Sequence, residues 1–140
     1  MLRQSSFTLS ATAPRQGLHE VTEPIAQWFD GQSIETGLLT VFCRHTSASL
    51  VIQENAANAA RLDLEAYMAR IGPEDPTLYA HDDEGPDDMP AHIRAALTST
   101  SLSVPVVDGR MALGTWQGIF LFEHRRQPSP RELVLHLVGE

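Results

Sequence analysis

The sequence predicts an α+β fold: a mixed, largely antiparallel β-sheet or sandwich with about three helices. Three observations predict it. Several runs alternate apolar and polar residues with period 2, as strands do. Other runs repeat apolar residues with helical spacing. The two kinds are interspersed without regular βαβ alternation, and the last third of the chain reads as β throughout. At 140 residues the chain has the length of one domain, 1–140, with no internal repeat or linker.

Taken in order, Arg3 to Thr12 alternates weakly and is expected to be a strand, closed by the turn Pro14-Arg15-Gln16-Gly17. Leu18 to Val21 is a short second strand. Thr22 is placed to cap a helix with Glu23 and Pro24 in its first turn and Ile25 to Phe29 as its body, ended by Asp30-Gly31. Gly37 to His45 is a buried strand, with Leu39, Val41, Cys43 and His45 on one parity. Ala48 to Gln53 is another. A helix is expected from Asn55 to about Ile71, on the stripe Ala56, Ala60, Leu64, Tyr67 and Ile71, and Gly72-Pro73 stops it. After an acidic loop, a third helix runs from about Met89 to Ser99, with Asp87 or Asp88 as its cap and Met89, Ile93, Ala96 and Leu97 as its apolar side. Leu102 to Val107 is a strand, Asp108-Gly109 a hairpin turn, Arg110 to His124 a long strand with a bulge at Gly114 or Gly118, and Arg131 to Val138 the final strand.

Charge and composition narrow the function. A net charge of −8 repels a phosphate backbone, which argues against nucleic-acid binding. Cys43 is the single cysteine, so no intramolecular disulfide or Cys-x-x-Cys motif exists. The first residues lack the apolar core of a signal peptide, and no stretch approaches the ~18 apolar residues of a membrane span. A cytoplasmic protein without a membrane partner is the expectation.

Four blocks carry a family resemblance. They are His45-Thr46-Ser47-Ala48-Ser49-Leu50 continuing through Gln53-Glu54-Asn55 to Asp63; Glu84-Gly85-Pro86-Asp87-Asp88-Met89-Pro90-Ala91-His92-Ile93; Ser101 to Val106 with Gly109 and Leu113-Gly114-Thr115-Trp116-Gln117-Gly118; and Leu121-Phe122-Glu123-His124 with Pro130-Arg131. In this order they resemble the YjbQ-like family, described as secondary thiamine-phosphate synthases, over nearly the whole chain. The resemblance implies an α+β fold, assembly as a homotrimer, and a weak capacity to make thiamine phosphate.

Several residues bear on chemistry. His45 ends a strand, where an imidazole is either aimed into a cleft or satisfied by a backbone carbonyl; the resemblance favours a site role. Asp63 sits at the edge of an apolar helix stripe, so a cation, an Arg or a His should meet it, in a site or in a structural salt bridge. His81 and His92 flank the acidic loop, and His with carboxylates suits a divalent ion such as zinc or magnesium. The loop does not match an EF-hand, and the spacing alone does not identify zinc. Glu123 ends an apolar strand face and needs a partner. Trp116 serves either core packing or stacking on a substrate. His124, Arg125 and Arg126 make the densest basic spot, suited to phosphate or to surface pairing with carboxylates; the resemblance favours Arg126 as the one facing inward. His19, His136 and Cys43 read as structural, although Cys43 shares the parity of His45.

These residues support three functional expectations. The first is an enzyme joining a pyrimidine diphosphate to a thiazole phosphate with release of pyrophosphate. Its catalytic groups would be His45, Asp63, His92 and Glu123. Its substrate contacts would be Ser47, Asn55, Trp116, Gln117 and Arg126, and its cation would lie on His81, His92 and Asp63. The second is a protein that binds a metal ion, a phosphorylated metabolite or another small anion without turnover. The third is a metal-assisted phosphate-ester hydrolase.

Overall fold

The computed structural model describes all 140 residues and realises the α+β expectation with three α-helices and two antiparallel sheets. The elements are β1 (Arg3–Ala11), β2 (Gly17–Glu20), α1 (Thr22–Asp30), β3 (Gly37–Cys43), β4 (Ala48–Glu54), α2 (Asn58–Ile71), α3 (Asp88–Leu97), β5 (Ser101–Val107), β6 (Arg110–Met111), β7 (Gln117–Glu123) and β8 (Arg131–Gly139). One sheet has the order β1-β8-β3-β5-β6, the other β2-β7-β4.

The alternation seen in sequence sets which side chains face the core. In β3, Leu39, Val41 and Cys43 point inward, and in β8 Leu133, Leu135 and Leu137 do the same. They meet Ala48, Leu50, Ile119 and Leu121 from the other sheet, with Ile25 and Phe29 of α1, in one buried cluster. The opposite face of the three-stranded sheet carries Leu18, Phe120 and Phe122, and α2 covers it with Leu64 and Met68.

Five local expectations are corrected. Val21, not Thr22, precedes α1; the Thr22 hydroxyl accepts the Ile119 N–H at 2.8 Å and donates to Glu20 at 2.9 Å, tying the helix start to β7 and β2. α2 starts at Asn58 rather than Asn55, because Asn55 is held outside it, its amide on Glu20 and its N–H on the Trp116 carbonyl. Its stripe is only partly used: Leu64 packs, Met68 joins it, and Tyr67 and Ile71 are exposed. In α3 the buried face is Asp88, Pro90, Ala91 and Arg94, whereas Leu97 is exposed. The long strand expected from Arg110 to His124 is broken rather than bulged. β6 ends at Met111, the Gln117 side chain accepts the Gly114 N–H at 2.7 Å, and β7 then pairs with β4 in unbroken register from Glu54↔Gln117 to Ala48↔Glu123.

Candidate functional site

The start of α3 gathers the most charged side chains in the fold. The loop before it reverses at Gly85, whose φ of +100° suits glycine, and delivers Asp87 and Asp88 to the helix N-terminus. Helical spacing places His92 one turn beyond Asp88 on the same face. The Oδ2 atom of Asp88, itself buried, lies 3.0 Å from His81 Nε2 and 3.1 Å from His92 Nε2. Its other oxygen accepts from Arg125 Nη1 at 2.7 Å. Arg125 also donates through Nε to Asp87 Oδ2 at 3.0 Å, and that oxygen takes the Arg126 backbone N–H at 2.9 Å. Burial pushes the Asp87 carboxyl upward, but these donors outweigh it and hold the group below its ordinary range. Asp87 therefore serves as an arginine anchor, without a side-chain cap bond to its helix.

The hydrogen-bond directions define what this cluster can hold. His92 Nδ1 lies 2.8 Å from the Thr46 carbonyl. A carbonyl only accepts, so Nδ1 carries a proton. In a neutral ring the lone pair is then on Nε2, facing the Asp88 oxygen. Two lone pairs at that separation repel unless a proton or a metal cation lies between them. His81 also meets Asp88 through Nε2, while its Nδ1 lies 3.4 Å from exposed Asp83 without a hydrogen bond. One ligand atom from each of His81, Asp88 and His92 lies within 4.8 Å of the others. Two imidazoles and one carboxylate, with His92 oriented from behind by the Thr46 carbonyl, are a donor set that could hold zinc with an open position. The nitrogen content suits zinc better than magnesium, which prefers oxygen.

His45 stands beside this cluster. It lines an open depression together with Thr46 and His92. Its Nε2 accepts the Glu132 N–H at 2.8 Å, so that nitrogen is occupied. Burial, and then the nearby Arg131 guanidinium, lower its pKa and keep it neutral. Behind it, fully buried Glu123 takes Arg131 through Nε at 2.9 Å and Nη2 at 2.5 Å, and accepts the Arg125 N–H at 3.1 Å. Glu123 is thus committed to holding Arg131 and the chain that presents Arg125. Ser47 contributes its carbonyl, which accepts from the His124 N–H and from Arg131.

Of the residues singled out in sequence, His81 and His92 meet in the cluster and His45 adjoins it. Asp63 does not join them. It is exposed on α2, because the face that docks belongs to Leu64 and Met68 and the neighbouring position turns to solvent. Asn55 and Gln117 lie at the end of β7 opposite Glu123, about 20 Å away for a strand of that length. There Asn55 joins Glu20 and Thr22 in a separate polar cluster, and neighbouring Trp116 is 63% exposed. Arg126 points outward to a Glu74 ion pair; Arg125 is the inward-facing member of the basic pair. Sequence reasoning missed Asp88 as the carboxylate the two histidines share and Arg125 as its support. The available signal was the Asp88–His92 spacing of four within a helix, which the capping assignment masked.

The profile of the UPF0047 protein YjbQ-like family matches residues 6–140. The chain belongs to the YjbQ-like family. It is 49% identical to the UPF0047 protein sll1880 of Synechocystis over 99% of this chain and 94% of the relative. It is 45% identical to the UPF0047 protein YjbQ of Salmonella typhimurium, with both chains fully covered. Among solved structures, a YbjQ-like protein of unknown function from Sulfolobus solfataricus superposes with a TM-score of 0.90 over the full length of both chains at 22% identity, a likeness of fold. A conserved hypothetical protein of Thermus thermophilus gives 0.81 at 30% identity, over 92% of this chain and 97% of its own. No helix of this YjbQ-like chain is long and apolar enough to cross a membrane.

Proposed function

We propose that this YjbQ-like protein holds a divalent cation, zinc before magnesium, on His81, Asp88 and His92 and uses it on a small phosphorylated metabolite. The observation that carries this reading is the Asp88 oxygen shared by two Nε2 atoms, with His92 Nδ1 already committed to the Thr46 carbonyl. A cation bound there stabilises negative charge developing on a phosphate leaving group. Arg125 fixes Asp88, the Thr46 carbonyl sets the His92 tautomer, and neutral His45 lines the same depression. Arg125 and Arg126 are engaged by carboxylates, so the leaving group is drawn to the cation rather than to a free arginine clamp.

Within this reading, the reaction we favour is the one the family resemblance implies: joining of a pyrimidine diphosphate to a thiazole phosphate, with release of pyrophosphate. Its test has two parts. Metal analysis of the purified protein should find one equivalent of zinc that the His92→Ala variant lacks. Pyrophosphate release should require both substrates and fall by roughly a hundredfold in the same variant. Phosphate released from either substrate alone would replace transfer by hydrolysis. Metal retention with no turnover on any substrate would leave a binding protein. A protein that takes up no divalent ion ends the proposal. We further propose a cytoplasmic homotrimer. The single buried thiol suits a reducing compartment, and the outer sheet face exposes Leu38, Phe42 and Val107 for a neighbouring copy to cover. Light scattering that reports a monomer refutes the assembly.

A further inference from the structure

Where β3 ends, the chain runs between the residue before β5 and the start of β8. The Cys43 N–H donates to the Thr100 carbonyl at 2.8 Å, and the Arg44 N–H to the Glu132 carbonyl at 3.3 Å. An open depression of about 610 Å³ forms there, lined by Arg44, His45, Thr46, Ser47, Thr100 and Arg131, with Phe42 on the side of the outer sheet face. No carboxylate is among the residues that line it, although the chain carries 18 Asp and Glu against 10 Lys and Arg. It adjoins the depression of His92, with which it shares His45, Thr46 and Thr100.

The donors on its wall are reachable and lightly used. The Arg44 side chain is 56% exposed and makes one bond, from Nη1 to Glu132 Oε2 at 3.2 Å; that carboxylate is itself 53% exposed. A single-bonded ion pair in solvent contributes little and exchanges readily for a better anion. Arg125 and Arg126 differ, since each grips a carboxylate through two nitrogens. Thr46 and Thr100 are exposed and Ser47 is half-buried. Their carbonyls accept from His92, Cys43 and Arg131, which fixes the backbone and leaves the three hydroxyls to the depression. Burial, then the Arg131 charge, keeps the His45 ring neutral, so it presents no charge of its own.

We propose that this depression binds a phosphate monoester group of a small metabolite, on Arg44 and the hydroxyls of Thr46, Ser47 and Thr100. A guanidinium and several hydroxyls match the oxygens of a tetrahedral anion, and a wall without carboxylates accepts a dianion. The inference deepens the function proposed above and rests on it for one point alone. With the cation taking the phosphate that leaves, the phosphate held here is the one that stays on its substrate and positions it. The transfer favoured above joins two phosphorylated substrates, and the second carries such a non-reacting phosphate.

The test is a titration of the full-length protein labelled at histidine nitrogen, with a chelator present so that no cation carries the anion. Glycerol 3-phosphate, inorganic phosphate and acetate are added in separate arms. Glycerol 3-phosphate should move the His45 ring resonances saturably, at least as tightly as inorganic phosphate. Acetate, a planar monoanion, should bind about tenfold more weakly, as the loss of one charged hydrogen bond requires. Arg44→Gln, made on an exposed side chain, should weaken the ester about tenfold as well. Glu132→Gln removes the competing carboxylate and should tighten the ester severalfold. His81 lines neither depression, so His81→Ala strips the cation cluster and should leave this titration unchanged. A failed cation site and a failed phosphate site therefore give different results. No saturable His45 shift with the ester overturns the proposal, as does ester binding that Arg44→Gln leaves intact or that His81→Ala abolishes. Inorganic phosphate bound in preference to the ester makes this a free-anion site and overturns the ester. Acetate bound as tightly as phosphate overturns the ligand class.

Discussion

Asp88 Oδ2 lies 3.0 Å from His81 Nε2 and 3.1 Å from His92 Nε2, so all three atoms converge where the proposed cation would sit. Replacing Asp88 by Asn removes that charge and releases one side of Arg125, which then pairs with Asp87 alone. We expect Asp88→Asn to lose bound metal and to lower the urea midpoint by the equivalent of roughly 2–3 kcal/mol, since the Arg125 side of the pair is part-exposed. Asp63→Ala is the contrasting case. With its side chain in solvent, it should leave both the metal content and the urea midpoint unchanged. Glu123→Gln tests a different role. It strands the buried Arg131 charge, so stability should fall by roughly 3–5 kcal/mol in urea titration, while metal content per folded molecule stays the same.

At the scale of elements, the seam between β3 and β8 depends on two glycines placed opposite each other. Gly37 pairs with Gly139, and a Cβ on Gly37 would collide with the Val138 carbonyl. Backbone cannot yield as a flexible side chain does. Gly37→Ala should therefore cost roughly 1–3 kcal/mol, read as a lower midpoint in thermal or urea unfolding. The β5–β6 hairpin turns on Asp108 and Gly109, both at positive φ, the geometry that an Asp-Gly pair accommodates with least strain. α3 carries polar side chains on two faces. Asp88 and His92 reach the cluster with His81, and Arg94 holds the Gly72 and His124 carbonyls. Both explain why its buried face is polar where the apolar residues of the sequence suggested otherwise.

For the whole molecule, the buried neutral His124 links stability to pH. Above about pH 6.5 the ring is neutral in both folded and unfolded chains and contributes no pH dependence. Below that, the unfolded chain takes up a proton that the folded chain refuses until about pH 3. Stability therefore falls with pH across that window, by a total on the order of a few kcal/mol. Asp87, with its lowered pKa, acts in the same direction: its contribution is present at neutral pH and is lost as pH falls through its folded value. Urea midpoints measured from pH 7 to pH 4 with a chelator present should drop steeply in the wild type. They should drop less in His124→Gln, which retains an amide donor for Ser49 and cannot be protonated.

The strand runs, the Asp-Gly hairpin, the helix stop at Gly72-Pro73 and the inward parity of Leu39, Val41 and Cys43 were all legible in the linear order of residues. Each depends on neighbours within a few positions, and periodicity records that directly. The same local information put His81 and His92 on either side of an acidic loop. It could not say that Arg125, far along the chain, would occupy Asp87 and one oxygen of Asp88, leaving the other oxygen to the two histidines. Nor could it show that Asp63 would turn to solvent, or that Asn55 and Gln117 would lie at the far end of β7 from Glu123. Such facts arise from sheet register and helix docking, where long-range packing decides which face of an element is covered and which charges meet.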